Sequence, residues 1–200
     1  MALPPAVARM GRTPHTAAVT DFDTALPPVL AALHRLPFDY AEGEGIDFEP
    51  YDALLPPEEN AMWIRAWTGD DGIDGAEYRV FGQDGTGGYA ALWVVRPDAA
   101  LSEQPVVFFG SEGELGVVAR NVDDYLWLLA GGQGPYEAIA GYGRAPDDAF
   151  TAFAQQHAPQ AAKSGAQVLA DARAEFPDFE ASVLRRAPAD YGRADGEHDG

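Results

Sequence analysis

The 200-residue chain is 46% apolar and carries a formal charge of −19, from 32 acidic against 13 basic residues, with no cysteine. That length and apolar content suffice for one good core. The charge argues against nucleic acid and anionic membranes as partners, since both are gripped by clustered Lys and Arg, and the lack of cysteine removes disulfides, thiolate nucleophiles and cysteine metal sites. No run of 18 apolar residues predicts a membrane span, and Met1 to Thr20 lacks the apolar centre of a signal peptide, so the expected compartment is the cytoplasm.

Residues 1–20, rich in Pro, Ala and Arg without a period, read as a flexible leader. A short helix is predicted from Pro28, with Val29, Leu30, Leu33 and Leu36 on one face and Pro37 as its stop. Tyr40 to Gly75 concentrates negative charge. Within it, Leu55-Pro56-Pro57-Glu58-Glu59 reads as a helix start, with prolines presetting φ and carboxylates against the positive end of the helix dipole. Gly69 marks the stop, and Trp63 and Trp67, four residues apart beside Ile64, give that helix an aromatic face to bury.

A β-hairpin is expected next: Glu77 to Phe81, a turn over Gln83 to Gly88, then the apolar run Tyr89 to Val95, which suits a strand covered on both faces. Pro105 to Phe109 predicts a third strand and Leu115 to Ala119 a fourth, joined by the turn Gly110-Ser111-Glu112-Gly113-Glu114. Asn121 then caps a helix through Leu129, with Asp123 and Asp124 in its first turn and Val122, Tyr125, Leu126 and Leu129 at helical spacing. Gly131 and Gly132 end it. Two further helices are expected around Asp147 to His157 and Ala161 to Phe176, and residues 187–200 read as a disordered tail.

Chemical motifs are sparse. The glycine cluster Gly82 to Gly88 lacks the lysine of a phosphate loop and leads into a strand rather than a helix, so we read it as a hairpin turn. Asp70-Asp71-Gly72-Ile73-Asp74-Gly75 does not keep the twelve-residue register of a calcium loop and reads as a solvated acidic loop. His15, His34, His157 and His198 form no zinc motif, and Ser111 does not sit in a G-x-S-x-G elbow. No cofactor is expected. Paired carboxylates of a hydrolase remain an open alternative, since among 32 acidic residues some pair always lies at a suitable separation.

The order Leu55-Pro56, a Trp-bearing helix ending at Thr68-Gly69, the Phe81 to Ala90 glycine hairpin, Pro105 to Phe109, Gly116 to Ala119 and the Asn121 to Leu129 helix resembles the SUKH superfamily. That group includes the Smi/Knr fungal cell-wall regulators and many bacterial immunity proteins. The resemblance covers roughly Leu55 to Gly132 and does not extend before Leu55 or past Pro135. It implies an α+β fold, a mostly antiparallel meander of about four to six strands flanked by helices, as one domain over residues 21–186 (core match 55–132, helical part 135–186). It brings no catalytic residues.

The resemblance and the charge together lead to an expected non-catalytic protein-binding module: an immunity protein that neutralises a cognate bacterial toxin, in this family often a nuclease, by direct binding through an acidic surface. The alternatives are an intracellular scaffold or regulatory protein of the same type, or a hydrolase. A basic partner suits the field of such a chain. The expected contact surface comprises Asp70, Asp71 and Asp74 of the loop and Asp84, Glu112 and Glu114 of the two turns, chosen because turns expose their acids and these share a sign.

Overall fold

The structure, a computed structural model, describes residues 23–40 and 45–186; the expected leader and tail lie outside them. The chain forms a five-stranded antiparallel sheet in the order β1-β2-β3-β4-β5, with helices on both faces, an α+β architecture. Four strands fall where their apolar runs predict: β2 (Tyr78–Gln83), β3 (Tyr89–Trp93), β4 (Val106–Phe109) and β5 (Leu115–Ala119). Every residue of β4 and β5 is buried, which is why their sequences run apolar rather than alternating.

The fifth strand, β1 (Glu49–Pro50), was not expected. It is two residues long and pairs Glu49 with Gln83 and Pro50 with Gly82. Past it the chain keeps hugging β2, with Tyr51 N–H donating to Phe81 O (2.9 Å) and Leu55 N–H to Val80 O (3.0 Å). Gly82 is required here: a Cβ would lie 2.2 Å from the ring of Phe48. At the other end of the predicted run, Val94 and Val95 fall outside β3. The buried Gln104 side chain explains this, since its Oε1 accepts from the N–H groups of Val95 and Arg96 and its Nε2 donates to Arg96 O.

α1 (Pro28–Leu33) buries Leu30 and Leu33 but stops before Leu36, which follows in a turn. α2 (Pro57–Thr68) ends at Gly69 in the left-handed conformation (φ 66°). α3 (Val122–Ala130) is capped as expected, Asn121 Oδ1 accepting from Asp124 N–H at 2.8 Å. Four helices follow: α4 (Pro135–Ala140), α5 (Asp148–His157), α6 (Gly165–Glu175) and α7 (Phe179–Leu184). α5 and α6 match the expected pair, whereas the six-residue α4 and α7 are too short to show a period.

Two apolar layers result. Phe81, Leu92 and Phe108 pack on one face of the sheet against α1, α3, α4 and α5. On the other, Trp63, Ile64 and Trp67 of α2 and Phe179 and Val183 of α7 cover Ala91, Val107 and Phe109. Phe109 is the hub, with Trp63, Trp67 and Tyr78 rings edge-on at 5.0 to 5.1 Å; such pairs add to ordinary burial. α6 contributes Val168 and Leu169 to the first layer and Ala172 to the second, and lies against β5.

Candidate interaction surface

The six acidic residues expected to share a surface do not share one. Asp70, Asp71 and Asp74 follow α2 and lie at the end of the sheet where β2 begins and β3 finishes. Asp70 and Asp74 border an open hollow with Glu77, Val94 and Arg186. Their carboxylates shape the loop locally, Asp70 Oδ1 accepting from Gly72 N–H and Asp74 Oδ1 from Ala76 N–H, both at 2.9 Å. Arginines are already present there. Arg186 pairs with Glu77, Arg65 donates to Ile73 O (2.7 Å) and Arg79 donates to Ala76 O (2.6 Å).

Asp84, Glu112 and Glu114 lie at the opposite end, in the turns joining β2 to β3 and β4 to β5. Asp84 is the correction: it is 2% exposed, not a surface carboxylate. Its Oδ1 accepts from Thr86 N–H, Thr86 Oγ1 and Gly88 N–H, each at 2.8 Å, so the acid folds back and holds its own turn. Ser111 Oγ donates to Thr86 Oγ1 at 2.9 Å, joining the two turns. Glu112 is exposed, and Glu114 is half-buried with its Oε2 accepting from Glu112 N–H.

On the α2 side of that same end is an arrangement the sequence reading missed. Strand register puts Glu49, Gln83, Tyr89, Phe109 and Leu115 in one row across all five strands. Phe109 and Leu115 are buried, whereas Glu49 is exposed and Gln83 and Tyr89 are partly so. Tyr51 Oη donates to Gln83 Oε1 (2.7 Å), and Gln83 Nε2 donates to Glu49 Oε2 (2.9 Å). The Tyr89 ring leans on Trp63 at 5.2 Å. Glu59, in the first turn of α2, completes the group: burial, then the fields of Tyr89, Glu49 and Glu59, push the Tyr51 phenol up to about 12. The available signals were Glu59 at a helix start and the register of a strand too short to be read.

Two buried carboxylates, Asp124 and Glu137, face cations. Asp124, 2% exposed at its side chain, meets Arg120 Nε and Lys163 Nζ at 2.8 Å each, and Asp171 meets Lys163 at 3.0 Å and Arg120 at 3.7 Å. Lys163 is the only lysine of the chain. The fully buried Glu137 accepts from the N–H groups of Asp47 and Gly134, with Arg144 4.0 Å away, and burial pushes its carboxyl up. By contrast, Glu49, Glu58, Glu59, Glu112 and Glu114 form no ion pair among the described residues.

Of the histidines, His34 is embedded among Phe38, Phe48 and Phe81, with Nδ1 2.7 Å from Tyr51 O and Nε2 unpartnered. Burial lowers its pKa. His157 stacks on Phe153 at 4.2 Å, while His15 and His198 lie outside the described residues. Among the described residues no group of three or more His, Asp or Glu is placed to hold a metal, and no helix is long and apolar enough to cross a membrane. The chain matches no protein-family model, and no curated protein or solved structure is detectably similar to it.

Proposed function

We propose that the chain is a non-catalytic binding module for a basic protein, acting in the cytoplasm as an immunity protein that neutralises a cognate bacterial toxin domain by direct contact. One observation carries the binding part: Glu49, Glu112 and Glu114 at the turn end of the sheet and Glu58 and Glu59 at the start of α2 form no ion pair among the described residues, while the buried Asp124 and Glu137 face cations. An unneutralised field of this kind speeds encounter with a positive surface and repels nucleic acid. The SUKH resemblance of Leu55 to Gly132 supports the immunity part. A toxin that grips nucleic acid needs a basic surface, which such a field suits.

The test is an affinity pull-down at low salt from a lysate of the native cells, with mass spectrometry and salt-gradient elution. A basic toxin-domain protein that elutes as salt rises, and that Glu49→Lys with Glu59→Lys no longer retains, is the expected result. A basic partner without a toxin domain turns the reading to the scaffold alternative; a neutral or acidic partner overturns it.

A further inference from the structure

Resting on that reading, we infer that Tyr51, Tyr89, Glu49 and Glu59 form the seat for an arginine side chain of the basic partner. The seat is built rather than incidental. Cross-strand neighbours in register stand about 5 Å apart, so the Glu49–Gln83–Tyr89 row sets a carboxylate, an amide and a phenol ring side by side. Tyr51 donates into Gln83 and Gln83 donates into Glu49, so both ends of the amide are engaged and the carboxylate is held by one oxygen. The second oxygen, Oε1, makes no hydrogen bond among the described residues.

A guanidinium suits this surface better than an ammonium. Its planar fork pairs with a carboxylate while its face lies on an aromatic ring, and it is the less strongly hydrated of the two cations. The Tyr89 ring packs against Trp63 at 5.2 Å, so it is placed before any partner arrives. Glu59 supplies a second carboxylate from a different element, at the start of α2. Arginine and tyrosine are the residues most often found carrying the energy of protein interfaces. The Asp70–Asp74 loop offers the weaker seat, because Arg186 of the same chain already occupies its hollow beside Glu77.

The experiment uses the full chain, titrated at low salt with blocked hexa-arginine and, separately, hexa-lysine, by calorimetry and amide chemical shifts. The expected result is saturable binding with hexa-arginine tighter by about threefold or more, the scale of a cation–π contact. Glu49→Gln, an exposed change that leaves the core untouched, is expected to weaken hexa-arginine by about threefold to tenfold. Tyr89→Leu, which still packs on Trp63, is expected to abolish the preference over hexa-lysine. Equal affinity for the two peptides together with an inert Glu49→Gln overturns the seat. Loss of binding in Asp70→Asn/Asp71→Asn/Asp74→Asn instead moves the site to the other end and leaves the basic-partner reading standing. Absence of saturable binding to either peptide also overturns the seat, while the partner reading falls only on the identity of the protein recovered in the pull-down.

Discussion

Two regions of the molecule treat negative charge in opposite ways. Where α3 and α6 meet, Asp124 is almost fully buried and every oxygen of its carboxylate faces a cation, Arg120 or Lys163. Near the start of α2, Glu49 and Glu59 stand exposed and form no ion pair among the described residues. A buried carboxylate must be matched because desolvation is expensive, whereas an exposed one is tolerated unpaired and keeps its field. The first arrangement closes helices over a sheet; the second leaves charge available to something outside the chain.

The largest break in that comparison is Asp124→Ala. It removes the buried carboxylate that Arg120 and Lys163 share, leaving them Asp171 alone, and is expected to destabilise by about 3 kcal/mol, read from denaturant unfolding, the upper scale for hydrogen bonds to a charged group. A change within 0.5 kcal/mol, roughly the noise of a surface substitution, would falsify the matched-charge account. Asp84→Ala comes next, at about 2 kcal/mol, since it deletes an acceptor serving three donors in one turn. Its refolded fraction is expected to retain full partner binding; reduced on-rate at equal folded concentration would return Asp84 to the contact surface.

His34 sharpens the same contrast through pH. Burial among Phe38, Phe48 and Phe81 outweighs the opposing Tyr51 carbonyl and Asp52, so the folded pKa is lowered. The unfolded chain therefore takes up the proton first. Stability from this group is full above the unfolded value near 6.5 and is lost as pH falls below it toward the lowered folded value. Stability measured from pH 8 to pH 5 is expected to slope less in His34→Phe than in the parent; parallel curves would show that the ring does not couple to folding. The smallest effect is expected from reversing Asp70, Asp71 and Asp74 to lysine. With Arg186, Arg65 and Arg79 already at that end, association with a basic partner should slow by less than about threefold at low salt, against a larger loss for reversing Glu49 and Glu59. The opposite ranking in stopped-flow association would exchange the roles of the two ends.

Much of the fold was readable because local chemistry and tertiary demand agree. Trp63 and Trp67 face inward at helical spacing, Asn121 caps α3, and the unbroken apolar runs of β4 and β5 lie between covered faces. The candidate surface was much less readable. Its key strand has two residues, one a proline, and its members Glu49, Gln83 and Tyr89 become neighbours only through register. Asp84 misled for a related reason: an aspartate before glycines predicts a turn, but residue type does not say whether the carboxylate points out to water or back into the turn. The pairing of Asp124 with Lys163 spans a separation in sequence that no local pattern reports.

The closure of the sheet at its two margins has a consequence for recognition. One margin is a two-residue strand containing Pro50, which has no N–H to give, and the other is β5 with α6 laid against it. Among the described residues, a visiting chain therefore finds no run of free main-chain groups on which to zip up as a sixth strand. A partner docked at this sheet would be read through side chains rather than main-chain pairing, so single surface substitutions should retune its recognition without redesigning the scaffold.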